Sequence, residues 1–250
     1  MKRNSLAAAA AALALMPATA APAAEVTVLC SNALKSVLEE LAPRFEQATA
    51  HKPVITFGST DPLKARIEKG DAFDLAILGV AATDDLIKQG KLIAATRVDV
   101  ARSGIGVAIR RGAPKPDLAT TAAFKRALIE AKSIAYSEQG LTGRYLESLF
   151  QRLGVAAELK AKTRNGRGAE LVGQGEAEIG MTQVSEILPV AGVELAGLLP
   201  PELQHYTVFP AAVGTAARQA DAARALLTFL ATPDAARVMQ AKGLQPPARP

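Results

Sequence analysis

Val54-Ile55-Thr56-Phe57-Gly58-Ser59-Thr60-Asp61-Pro62-Leu63-Lys64-Ala65-Arg66-Ile67 changes its structural period halfway along. The first four residues are β-branched or aromatic and read as a strand. Gly58-Ser59-Thr60 interrupts the run and Asp61-Pro62 supplies a helix opening. Leu63 and Ile67 then recur four apart on one helix face. A strand that passes through a short polar loop straight into a helix is the building unit of an α/β protein.

The same unit repeats in both directions. Upstream, Val26-Thr27-Val28-Leu29-Cys30 is a strand, and Leu34, Val37, Leu38, Leu41 and Phe45 mark one face of the next helix. Downstream come a strand over 74–78, a helix opened by Thr83-Asp84-Asp85 and stopped by Gly90, and a strand over 103–110. After the loop Gly112-Ala113-Pro114-Lys115-Pro116, helices are expected over 121–131, 142–153 and 169–174, with strands over 133–136 and 179–182. Two last helices cover 219–230 and 233–241, the second capped by Thr232. The alternation predicts an α/β fold with mixed, mostly parallel sheets. The proline-rich end from Gln245 onward reads as frayed.

The first residues address the chain. Lys2 and Arg3 precede an apolar run over 6–16, and small residues follow, so 1–23 reads as a secretory signal peptide cleaved after Ala20, Ala23 or Ala24. The run is too short to span a bilayer, and a periplasmic location is expected. Net charge is +5 and falls to +3 once Lys2 and Arg3 leave. The remaining basic residues are scattered and aromatics make up 4%, which argues against nucleic-acid binding. Cys30 is the one cysteine and has no disulfide partner in the chain; it reads as a small apolar residue of its strand. His51 and His205 are the only histidines and no close Cys/His spacing exists, so no metal and no cofactor is expected.

Three loops leave a strand end and enter a helix at once: Ser31-Asn32-Ala33, Gly58-Ser59-Thr60, and Ser137-Glu138-Gln139-Gly140-Leu141-Thr142-Gly143. Ligands of open α/β sheets gather at such strand ends. The first N–H groups of a helix lack intrahelical partners and carry the positive end of its dipole. Hydroxyls beside several such termini form an anion site without net charge. Each loop alone is an ordinary helix cap; the three in order suggest a shared site.

Here the chain resembles the periplasmic molybdate-binding protein family, of the two-lobed type 2 solute-binding fold with a hinge. The carriers are Val26-Thr27-Val28, Phe57-Gly58-Ser59-Thr60 with Leu63 and Ile67, and Gly70-Asp71-Ala72-Phe73-Asp74-Leu75-Ala76-Ile77. Further on they are Thr142-Gly143-Arg144-Tyr145, Gly175-Glu176-Ala177-Glu178-Ile179-Gly180 and Thr232-Pro233-Asp234-Ala235-Ala236. The resemblance implies a first lobe over 24–102, a second over 103–186, and a return to the first over 187–250. Crossovers are then expected near 102–104 and 184–189. The family's oxyanion contacts fall on Ala33, Thr60, Thr142 and Gln183. Ala33 lacks the expected hydroxyl, with Ser31 and Asn32 beside it, and Gln183 stands where the family has tyrosine.

The ligand-binding set expected from loops and resemblance together is Ser31, Asn32, Ser59, Thr60, Arg102, Ser137, Thr142, Arg144 and Gln183. Arg102 and Arg144 enter as cations near loop junctions, with Lys35 and Lys64 as further cations on the first two helices. With two molybdate donors changed, a di- or tricarboxylate is expected over molybdate. The expected role is capture of a small anion by a monomer, with an ABC permease as partner. The same resemblance group contains aconitate isomerase, which implies an alternative: proton transfer on a tricarboxylate, with Tyr136, Glu138 or His205 as candidate bases. A secreted interaction protein with a vestigial cleft is a third reading, opposed by the polar loop ends.

Overall fold

The computed structural model describes residues 23–247. The leader expected over 1–23 lies, but for its last residue, outside the described residues. The chain opens with β1 (Glu25–Ser31), α1 (Lys35–Thr49), β2 (Lys52–Gly58), α2 (Thr60–Glu68), β3 (Leu75–Ile77) and α3 (Val80–Lys88). The long β4 (Val98–Arg110) leads to α4 (Thr121–Glu130), β5 (Ile134–Tyr136), α5 (Leu141–Arg152), α6 (Ala156–Lys160) and β6 (Thr163–Asn165). Then follow α7 (Gly168–Gln174), β7 (Ile179–Gln183), α8 (Val184–Ile187), β8 (Val193–Leu198), β9 (Tyr206–Val213), α9 (Ala220–Leu230) and α10 (Pro233–Ala241).

The strands run in the order β2-β1-β3-β9-β4-β7-β5-β6, with β8 also on β4. β4 belongs to both lobes: Val98 to Gly104 pair with β9, and Ile105 to Arg110 with β7 or β8. The sheets are mixed. Among the described residues four strand pairs are parallel and four antiparallel, and every antiparallel pair includes β4 or β9. The expected excess of parallel pairs is absent because the two crossover strands oppose every strand they touch.

Each lobe is a sheet covered on both faces. In lobe one, α1 buries Val37, Leu38, Leu41 and Phe45 beside α9 and α10, while Leu63, Ile67 and Leu86 cover the opposite face. In lobe two, Phe124, Leu146, Leu149 and Phe150 lie on one face and Ala169, Val172 and Ile187 on the other. Each large side chain so buried contributes about 1.5–3 kcal/mol. Asp74 ties this packing together: its carboxylate accepts from the N–H groups of Thr27 (2.8 Å), Arg218 (2.8 Å) and Gln219 (2.9 Å).

The second crossover differs from the expected one. Residues 184–187 form α8, and β8 pairs with Gly106 to Arg110, so the chain stays in lobe two past residue 187. It returns between Leu198 and Tyr206. Here the Gln204 side chain accepts from Ile105 N–H and donates to Ile105 C=O, both at 3.0 Å, replacing a strand partner and joining the two crossovers. β9 was not expected either. Its Pro210 lacks an N–H, and it pairs with Asp99 next to the one register shift between β4 and β9.

Candidate functional site

The ends of β1, β2, β5 and β7 face one another across the lobes and enclose a cleft with about 90 Å³ of solvent-accessible volume. A single water needs about 10–15 Å³ on that measure, so the space suits a small molecule. Seven of the nine expected site residues line it: Ser31, Asn32, Ser59, Thr60, Ser137, Thr142 and Gln183.

The hydroxyls here are not spent on capping. Ser31 and Ser59 precede helices yet make no side-chain cap bond. Thr120 and Thr232, away from the cleft, do cap, accepting from the N–H groups of Ala123 and Ala235. The cleft serines therefore leave both their hydroxyls and the helix N–H groups they would have capped open to a ligand. Thr60 accepts from Gly79 N–H at 3.3 Å, which leaves its own proton to donate.

Gln183 is 4% exposed and crosses between the lobes. Its Nε2 donates to Thr142 Oγ1 (2.8 Å) and to Thr207 Oγ1 (3.0 Å), while Oε1 has no partner. Both threonine hydroxyls can also donate, so the amide can turn and offer its NH₂ to a ligand instead. A buried polar atom without a partner is costly, and a bound ligand would remove that cost.

Arg102 and Arg144 stand elsewhere. The guanidinium of Arg102 lies over the Tyr206 ring at 4.9 Å, and its backbone pairs with Gln245. Arg144 is half exposed and pairs with Asp61 of α2 at the rim, in an outer groove with Lys64 and Asp85. Lys35 pairs with Glu39 and Lys64 with Glu68 and Asp85, which hold the Lys64 ammonium above its ordinary pKa. None of these cations lines the cleft.

The three candidate bases also lie outside its wall. Tyr136 packs edge-on against Phe150 in the lobe-two core, and burial raises its phenol. His205 stacks on Tyr145 at 4.6 Å, and burial lowers its imidazole. The Glu138 N–H donates to Asn165 on β6.

Three charged groups that sequence reasoning missed do line the cleft, Glu186, Arg167 and Glu170. Glu186, in α8, accepts from the Thr182 hydroxyl through Oε2. Burial pushes its carboxyl above the ordinary value; the Thr182 bond and the Arg167 charge oppose this without cancelling it. Arg167 enters where β6 turns into α7, with Glu170 3.0 Å away. None of these positions carries a motif: Glu186 follows β7, which runs antiparallel to β4, and Arg167 and Glu170 follow β6, which runs parallel to β5. Among the described residues no group of His, Cys, Asp and Glu could hold a metal ion. Burial pushes the Cys30 thiol up, as expected of an inert strand residue.

Comparison with known proteins fits this geometry. A family described as bacterial extracellular solute-binding protein matches residues 26–245. A Pseudomonas sp. protein named aconitate isomerase is 37% identical over 250 residues, 95% of each chain. The molybdate-binding protein ModA of Azotobacter vinelandii is 28% identical over 237 residues, covering 90% of this chain and 92% of the relative. The solved periplasmic molybdate-binding protein of the same organism superposes with a TM-score of 0.76 at 21% identity, over 89% of this chain and all of that one.

Proposed function

Because the chain belongs to the bacterial extracellular solute-binding protein family, we propose that its cleft takes a small multiply charged carboxylate in the periplasm. We further propose that it interconverts cis- and trans-aconitate there. The observation that carries this reading is Glu186 beside the Arg167–Glu170 pair, the charged groups of a wall otherwise lined by neutral residues. A carboxyl in the wall adds nothing to the binding of any anion, carboxylate or oxyanion, but it is the group a proton transfer needs. The likeness to the Pseudomonas aconitate isomerase supports the same conclusion. Arg167, the serine and threonine hydroxyls and the open N–H groups of α2 and α5 would stabilise the charge that develops on the substrate.

A second reading rests on the likeness to ModA and on the fold: capture of an anion for an ABC importer. The two separate in one experiment on purified protein. Cis-aconitate is supplied and trans-aconitate followed by chromatography, beside calorimetry with both isomers, molybdate, tungstate and sulfate. Turnover is expected, with molybdate the weaker ligand, because each lost bond to a charged group is worth about 1.5–3 kcal/mol. Submicromolar molybdate binding without turnover would replace the isomerase by the importer reading.

A further inference from the structure

Resting on the isomerase reading, we propose that Glu186 carries the proton between the two substrate carbons and that Thr182 positions it. Four observations converge on this carboxyl. It shares the cleft wall with Ser31, Thr60, Thr142 and Gln183, where a ligand would touch both lobes. Among the described residues it enters no ion pair, whereas Asp61 is held by Arg144 and Glu170 by Arg167. The Thr182 hydroxyl donates to Oε2, and the Gln183 backbone N–H also favours the charged carboxyl, so the group is held in place. The charged groups acting on it are Arg167 and Glu170, both on the α7 side, and burial outweighs them in keeping the carboxyl more basic than usual.

The step balances within the substrate. The Glu186 carboxylate takes a proton from the methylene carbon of aconitate: a C–H bond breaks and a carboxyl O–H bond forms. The freed electron pair forms a new C=C bond, and the old double bond's electrons move towards the carbon at its far end and the carboxylate attached there. That carbon then takes the proton back from Glu186, so an O–H bond breaks and a C–H bond forms. The double bond has moved one place, the enzyme is unchanged, and no oxidant or reductant enters. Arg167 opposes the extra negative charge of the intermediate. A base more basic than an ordinary glutamate abstracts a weakly acidic C–H better.

The test compares wild type with E186Q and T182V in cis-to-trans turnover, aconitate affinity and exchange of the substrate methylene protons with D₂O followed by NMR. In E186Q, kcat and exchange should fall about 10²–10⁴-fold while affinity stays within about threefold. In T182V the carboxylate loses a donor that favours its charged form, so its pKa rises and the acid limb of the kcat profile moves to higher pH. Turnover and exchange by E186Q close to wild type would overturn the proposal and leave the isomerase reading standing. Absence of turnover by wild type would overturn that reading and this one with it. An unmoved acid limb in T182V would remove Thr182 from its role. Should E186Q fail to fold, E186D keeps the charge and shortens the reach. A fall in kcat at constant KM is then expected, and a rise in KM alone would overturn the proposal.

Discussion

Single residues divide by what their polar atoms do. Asp74 is buried and spends both oxygens on three backbone N–H groups, two of them at the start of α9. It is a structural carboxylate and is not part of the cleft wall. Removing it strands those donors, and bonds to a charged acceptor are worth about 1.5–3 kcal/mol each. D74A should therefore lower unfolding free energy by about 3 kcal/mol in urea titration, with aconitate turnover intact in the fraction still folded. A loss below about 1 kcal/mol would mean that water replaces the carboxylate. Asp74 was legible in the sequence only as part of the family-like run from Gly70 to Ile77. Glu186 was not legible at all, because a raised carboxyl pKa comes from burial and neighbours that no local spacing encodes.

Elements were readable where one period dominates. α1 and α5 appear where their apolar residues recur every three or four positions, and Thr232 caps α10 as its position suggested. β8 is hard to read because Val193 to Leu198 carries weak strand propensity, and β9 because Pro210-Ala211-Ala212 interrupts the β-forming run Tyr206 to Phe209; pairing with β4 and β3 decides them. That gap also shifted the expected second crossover. Within α5, Gly143 shows how an element fixes the site. A Cβ there would overlap the Ser137 carbonyl oxygen and lie 2.8 Å from its carbon and 2.9 Å from Glu138 Cα. In an open helix, replacing Gly by Ala gains about 0.8–1 kcal/mol. Here the obstacle is backbone, and overpacking costs about 1–3 kcal/mol, so the sign reverses. G143A should lower the melting temperature and weaken aconitate binding, since α5 must retreat and take Thr142 with it. A raised melting temperature would show that the loop from Ser137 to Gly140 yields freely.

At the scale of the whole molecule, the lobes meet around the cleft through three unlike contacts. Gln183 joins β7 to Thr207 of β9 at the cleft floor. Leu141 of α5 lies against Gly79 and packs on the lobe-one core. Arg144 of α5 pairs with Asp61 of α2 at the rim, both about half exposed. Neither rim residue lines the cleft; both lie in the outer groove beside it. An exposed ion pair is worth about 0–1 kcal/mol and weakens with salt, whereas removing one partner of a buried charge pair with the ligand costs about 2–5 kcal/mol. The magnitudes therefore distinguish a rim latch from a ligand contact. R144A should lower aconitate affinity by no more than about fivefold, chiefly through faster release, and D61A should do the same. The double variant should add little to either, because both remove one contact. Raising salt should erase most of the difference from wild type. Stopped-flow release rates and calorimetry at two ionic strengths measure all four quantities. A loss of a hundredfold or more in R144A, absent from D61A and persisting in salt, would put the Arg144 guanidinium on the ligand instead.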